Sequence, residues 1–322
     1  MADWRPSASL DTLVIRARLL QRIRAFFQAR GVLEVETPLL CRAAVTDPHL
    51  ESFVVQQPSQ GSPRYLHTSP EFAMKRLLAA GSGSIYQVCK VFRQGEAGRQ
   101  HNPEFSMLEW YRLDLDHHQL MDEVESLVRE LLDGYRTLAA SHRITYREAF
   151  QRHAKLDPLT ASITELQTTV KQYGIEVIGL DDSHADPWLD LLMTHVVEPA
   201  LPQDGPVFIY DYPASQAVLS RIRRSDPPVA ERFELYLGGM ELANGFHELL
   251  DAQEQHQRFI ADLATRASTG LPVVPVDEHF LAALAAGLPP CAGVALGVDR
   301  LVMLAAGVKT IAEVLAFDDT RT

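Results

Sequence analysis

The sequence predicts an α+β fold, an antiparallel sheet flanked by helices. Strand-like runs gather toward the two ends of the chain and helical runs fill the middle. A doubly wound parallel sheet would need the two kinds of run to alternate. Two hairpins add to this. "SIYQVCKVF" (84–92) and "EFSMLEWYR" (104–112) flank a charged loop, and "RFELYLGGMELANGF" (232–246) turns at Gly238-Gly239.

The elements follow in order. In "RARLLQRIRAFFQAR" (16–30) and just before it, Ile15, Leu19, Ile23, Phe26 and Phe27 recur at helical spacing, with arginines on a solvated face. Gly31 stands where a helix stops. "VLEVETP" (32–38) is a short strand ended by Pro38, and "PEFAMKRLLAA" (70–80) a short helix between turn-rich segments. Residues 116–201 read as a mostly helical insertion within a single domain spanning 1–322. Its helix "HHQLMDEVESLVRELLDGY" (117–135) opens on His117 and His118; adjacent histidines lack metal-binding helical spacing and read as surface residues. "PVFIYDYP" (206–213) resumes the strands, and "DAQEQHQRFIADLATRA" (251–267) is a helix. "CAGVALGVDRLVMLAAG" (291–307) is strand, turn and helix.

Composition narrows the function. With 46% hydrophobic and 22% charged residues among 322, the chain suits a globular protein with a sizeable core. A net charge of −12 argues against a broad nucleic-acid surface. No run is apolar enough to span a membrane, and the start lacks an apolar signal core. Cys41, Cys89 and Cys291 are odd in number and far apart, which fits a reducing, cytoplasmic setting.

Strand alternation puts Phe105, Met107, Glu109 and Tyr111 on one face and Glu104, Ser106, Leu108 and Trp110 on the other. The first face offers a flat ring for a purine and a carboxylate with a phenol for an ammonium. It equally suits a sheet face that packs Phe and Met while Glu and Tyr meet solvent. In the second hairpin Tyr236 opposes Glu241, so Glu234 lies diagonal to Glu241 on the same face. Two such carboxylates suit Mg²⁺ on phosphates, or form a solvated pair. Simple alternation turns Asn244 to the opposite face unless a bulge at Gly245 re-aims it. "GVDR" (297–300) pairs a glycine that admits close approach with an arginine able to grip a phosphate; such Asp-Arg pairs also merely brace helices.

"GVLEVETP", "FRQGEAGRQHNPEF" and "GVDR" together resemble motifs 1, 2 and 3 of class II aminoacyl-tRNA synthetases. "TSPEF", "RQHNPEFSMLEWY" and "ELANGFHEL" are similar to the lysyl-tRNA synthetase branch. Motif 1 begins almost at the N-terminus, leaving no room for an anticodon-binding OB domain. The chain therefore looks like the truncated paralogues, the elongation factor P lysine ligases. That resemblance implies ATP and Mg²⁺ as cofactors, a lysine-type amino acid (β-lysine) as substrate, elongation factor P rather than tRNA as acceptor, and a homodimer with Pro38 at its interface. Rival readings are a tRNA-charging core and a non-catalytic amino-acid-binding regulator.

Residue by residue, the resemblance gives Arg93 the α-phosphate and the amino acid's carboxylate. It places Gln94, Gly95, Glu96, His101, Asn102, Glu241 and Leu242 near the nucleotide, with Phe105 stacked on adenine. Arg300 takes the far phosphates, with Gly297 making room. Glu234 and Glu241 hold the metal. Ser69, Pro70 and Glu71 meet the amine next to the carboxylate, and Glu109, Tyr111 and Glu248 the terminal ammonium. Asn244 and Ala295 line the substrate pocket. Two positions depart from the pattern. Gly95 stands where motif 2 carries Glu, so the loop shifts to use Glu96 or a backbone carbonyl substitutes. Ala295 stands where full lysyl enzymes carry Gly; its methyl is expected to narrow the site and favour an amine one carbon further along.

Overall fold

The computed structural model describes residues 4–56, 61–177, 179–180 and 182–322. In chain order it runs α1 (Leu10–Gln28), β1 (Leu33–Glu34), β2 (Leu40–Cys41), β3 (Val54–Val55), β4 (Arg64–Leu66) and α2 (Glu71–Ala79). Then come β5 (Ile85–Phe92), β6 (Glu104–Leu113), α3 (His117–Leu132), β7 (His142–Thr145), α4 (Tyr146–His153), α5 (Ile163–Gln172) and α6 (Asp186–Leu192). The last part holds β8 (Val207–Pro213), β9 (Ile222–Arg223), β10 (Val229–Leu237), β11 (Met240–His247), α7 (Ala252–Ser268), α8 (Glu278–Gly287), β12 (Cys291–Gly297) and α9 (Val298–Ala306).

Among the described residues nine strands form one sheet, ordered β1-β5-β6-β12-β11-β10-β8-β7, with β9 beside β10. Its central pairings are antiparallel, as expected, but β1·β5 and β7·β8 are parallel, so the sheet is mixed. The helical middle of the chain contributes β7, a four-residue strand too short to show a period.

One face of the sheet is sealed by helices. Leu19, Ile23, Phe26 and Phe27 of α1 join Val124, Leu127 and Val128 of α3 and Leu301 and Val302 of α9 over Leu108, Trp110, Leu235 and Leu296. Each fully buried Leu, Ile or Phe contributes roughly 1.5–3 kcal/mol. Ser9 caps α1 by accepting from the Thr12 amide. Its arginine face is only partly solvated: Arg16 reaches the buried carboxylate of Asp299 and the Val314 carbonyl.

The other face stays open along the central strands. On one side α4, α5 and α6 pack against β7 and β8; on the other α2, α7 and α8 close over Ile85, Tyr111 and Cys291. The trough between these two masses is the site described next.

Two readings of side-chain placement are corrected. His117 is buried, not a surface residue, while His118 is exposed. The bulge in the second hairpin lies at Leu242, not Gly245: Tyr236 opposes Glu241, but Leu235 opposes Ala243 and Glu234 opposes Asn244. The extra residue turns Asn244 onto the face shared by Glu234, Tyr236 and Glu241. Gly245 is regular strand, and its missing side chain makes room for Phe233, whose ring would lie 2.4 Å from an added Cβ.

Candidate active site

The cleft encloses about 1730 Å³, more than the roughly 300–1,000 Å³ of a single small-molecule pocket. Arg93, Phe105, Met107, Glu109, Tyr111, Glu241, Asn244, Glu248, Ala295, Gly297 and Arg300 all line it. The alternation read along β6 holds, because β5 and β6 pair without a break from Ile85↔Tyr111 to Phe92↔Glu104.

One end of the cleft is cationic. The Arg93 guanidinium lies 5.1 Å from the Phe105 ring centre, and its Nη1 is 3.2 Å from Glu96. Gly95 adopts φ +81°, so glutamate there would be strained; the loop places Glu96 on Arg93 instead. Gln94 and Gly95 themselves are exposed outside the cleft. Asn102 reaches the rim, but its amide is engaged: it donates to the Glu104 carbonyl and accepts from the Asp319 amide. Arg300 Nη1 donates to the Glu241 carbonyl at 2.6 Å, and Nη2 lies 2.8 Å from His101 Nε2. Burial, and then the charge of Arg300, hold the His101 imidazole below its ordinary pKa, so it stays a neutral acceptor. In "GVDR" the two charges divide their labour. Asp299 braces Arg16 and the Ser106 amide behind the sheet, and Arg300 faces the cleft. A Cβ on Gly297 would meet only the Arg300 side chain, at 3.7 Å, so the glycine leaves the floor beside Arg300 clear.

A carboxylate cluster adjoins this end. Both oxygens of Glu234 are engaged, Oε1 with Arg232 and Oε2 with the Tyr236 hydroxyl, each at 2.5 Å. Glu241 keeps 41% of its side chain exposed toward the cleft, with Arg300 at 3.5 Å. Its carboxyl is pushed up by desolvation and by Glu234. Leu242 turns its side chain into the core, so only its backbone borders the cleft. Sequence reading missed Glu198, which lines the same cleft just after a π-helical turn at Met193–Val197. Burial, then Glu234 and Glu241, raise its carboxyl to about 7.

The other end is acidic and enclosed. Glu109 accepts from the Tyr111 hydroxyl at 2.5 Å and from Ser69 at 3.0 Å. Ser69 also caps the start of α2 by accepting from the Glu71 amide, and Pro70 is the N-cap residue. Desolvation, then the Glu71 charge, raise Glu109 to about 8. Glu71 and Glu248 already have a cationic partner. Lys75, one turn after Glu71, inserts its buried ammonium 2.5 Å from Glu71 and 2.6 Å from Glu248. Burial alone would lower its pKa, but Glu248 and then Glu71 hold it above the ordinary value. Glu248 still lies at about 8, through desolvation. Tyr111 and Glu248 fit because residue 293 is glycine: a Cβ there would stand 2.3 Å from the Tyr111 ring and 2.4 Å from Glu248 Oε1. Ala295 lies between Glu109 and Asn244 in the register of β6, β12 and β11, and so presents its methyl to the cleft.

This pairing of a motif 2 and a motif 3 arginine across an antiparallel floor agrees with the comparisons. The family description "tRNA synthetases class II (D, K and N)" matches residues 1–321, and the chain belongs to that family. Within it the chain groups with the elongation factor P–(R)-β-lysine ligases. It is 52% identical to proteins of that name from Salmonella paratyphi B (strain ATCC BAA-1250 / SPB7), Salmonella schwarzengrund (strain CVM19633) and Salmonella heidelberg (strain SL476). Each alignment runs over 320 residues and covers 98% of this chain and 97% of the relative.

Proposed function

We propose that this chain uses ATP to activate (R)-β-lysine as an acyl-adenylate and transfers the acyl group to a lysine ε-amine of elongation factor P. The observation that carries the substrate class is the charge count of the acidic end. Glu71, Glu109 and Glu248 share one internal cation, Lys75, and two of the three carboxyls, Glu109 and Glu248, are left at about 8, so the site has room for two ammonium groups that would draw them into the ionised form. A diamino acid supplies both, and its carboxylate points to Arg93.

In the first step the amino acid's carboxylate oxygen bonds to the α-phosphorus of ATP and pyrophosphate leaves. Arg93 and Arg300 hold the anions together and stabilise the charge that builds in the transition state. In the second, the neutral acceptor amine bonds to the acyl carbon, AMP leaves with the bonding pair, and the proton lost from the amine nitrogen passes to solvent. The donor set fits Mg²⁺: hard carboxylate oxygens crowded enough to raise Glu198 to about 7. Glu241 and Glu198 would hold the ion, with Glu234 positioned by Arg232 and Tyr236 beside them. When bound, Mg²⁺ supplies positive charge to the phosphates.

A homodimer and a cytoplasmic location complete the reading. Leu33, Leu39 and Leu40 are exposed beside the exposed Pro38 along the chain, which supports an interface there. Among the described residues no helix is long and apolar enough to cross a membrane. The deciding experiment offers labelled (R)-β-lysine, ATP and Mg²⁺ with either elongation factor P or tRNA. Label is expected on the protein alone; label on tRNA alone overturns the acceptor.

Two further results are expected. Ala295→Gly shifts preference toward α-lysine by about 10-fold or more, the worth of one methyl-sized contact in a tight pocket. An unchanged ratio of α- to β-lysine activation discards that role. Affinity for the amino acid rises by up to about tenfold per unit between pH 6 and 8 and then levels, because Glu109 at about 8 must ionise to pair with an ammonium. Calorimetry in buffers of different ionisation enthalpy should show proton release on binding, diminished in Glu109→Gln.

A further inference from the structure

A second cluster of ligating side chains lies behind the sheet, away from the cleft. His117 opens α3, Glu231 sits on β10 and His247 ends β11. One donor atom from each lies within 4.8 Å of the others. None of the three lines the cleft. Register places Arg232 opposite Phe246, so Glu231 and His247 turn to the helix side, back to back with Arg232.

His117 makes this cluster unusual. Its side chain is 3% exposed, yet neither ring nitrogen has a hydrogen-bond partner. Asp211 Oδ1 stands 3.7 Å from Nε2, beyond hydrogen-bonding distance, and is itself buried without a partner. Buried polar groups left this way are costly and rare. A bound ion would take one His117 nitrogen and lie beside Asp211 Oδ1, leaving the second ring nitrogen as an N–H.

We propose that His117, Glu231 and His247 bind a divalent transition metal, Zn²⁺ foremost, with Asp211 the adjacent oxygen donor. Two imidazoles with carboxylate suit zinc, whereas Mg²⁺ favours oxygen alone. Ligand distances of about 2.0–2.2 Å require the three side chains to close inward by small rotations. The surrounding charges are mixed. His247 Nδ1 lies 2.7 Å from Glu231 Oε2. Arg221 approaches His247 Nε2 at 3.1 Å, and Arg223 occupies Asp211 Oδ2 at 2.5 Å, leaving Oδ1 free. The His118 ring lies tilted beside His117, with ring centres 4.1 Å apart. Both arginines reach in from the exposed side, where Arg221 can withdraw. The ion would staple the start of α3 to β10 and β11, directly behind Arg232, and so stiffen the strands that carry Glu234 and Glu241.

The test uses the full chain, stripped with chelator and titrated with Zn²⁺ against a chromophoric competitor. A Glu241→Gln chain serves alongside to exclude the cleft carboxylates. One equivalent of tightly bound Zn²⁺ with a rise in Tm is expected in both chains, and loss of both effects in His117→Leu. The apolar replacement fills the buried space without nitrogen, so its metal-free Tm should match or exceed that of the stripped parent. His247→Ala should lose the same equivalent and guards against a folding failure of the first variant. No stoichiometric binding by the parent chain, or binding unchanged in His117→Leu, overturns the site.

Discussion

Arg300→Ala is expected to lower ATP–pyrophosphate exchange on the order of 10²–10³-fold, while amino-acid binding measured by calorimetry stays close to that of the parent. The guanidinium is already held before any substrate arrives, by the Glu241 carbonyl at 2.6 Å and the neutral His101 imidazole at 2.8 Å. Such a group stabilises developing charge without reorganising, which is why its removal acts on the rate. Arg300→Lys should restore little, because a single ammonium cannot meet two partners in divergent directions. The acidic end, with Lys75, Glu109 and Glu248, does not touch Arg300, so binding and rate separate. A loss of less than tenfold would mean that Arg300 only braces the floor of the cleft.

How much of this was legible beforehand depended on whether a local period survived folding. The face of β6 could be read because β5 and β6 pair without interruption. The face of β11 could not, because its bulge falls at Leu242, a residue with no turn signal, while Gly245, which looked like the bulge, serves Phe233. The motif arginines were legible as a pattern, and both line the one cleft. What sequence could not show was which charges are already spent. Lys75 stands one turn after Glu71, the spacing of an ordinary surface ion pair. Only the packing of α2 against α8 and the ring of Phe280 buries it against Glu248. Asn102 and His117 changed standing for the same reason, since the Asp319 amide comes from the C-terminal turn and Asp211 from a distant strand, whereas Glu234 is engaged by Arg232 and Tyr236, two residues to either side on its own strand. Glu198 carried no signal, for its neighbours Glu234 and Glu241 arrive from the far hairpin.

Lys75→Met is expected to abolish useful amino-acid activation and to lower Tm by roughly 5–10 °C at pH 8, the scale of breaking a buried ion pair at about 3–5 kcal/mol. Glu71 and Glu248 would both lose the cation that fixes their carboxylates against the pocket wall. The effect carries a definite sign with pH. Glu248 already lies at about 8 in the folded chain, above the ordinary carboxylate value, so folding retains a proton that the unfolded chain releases above about pH 4.3. Without Lys75 that carboxyl rises further and holds its proton more tightly. The variant's deficit against the parent is therefore level below about pH 7, where both folded chains keep that proton, and grows as pH climbs from about 7 to 9, where the parent's carboxyl ionises against Lys75 and the variant's does not. Melting curves across that range separate charge from bulk. A deficit of equal size at both ends would assign Lys75 to packing alone, through its stem near Phe280, and would remove the charge count on which the diamino acid was assigned.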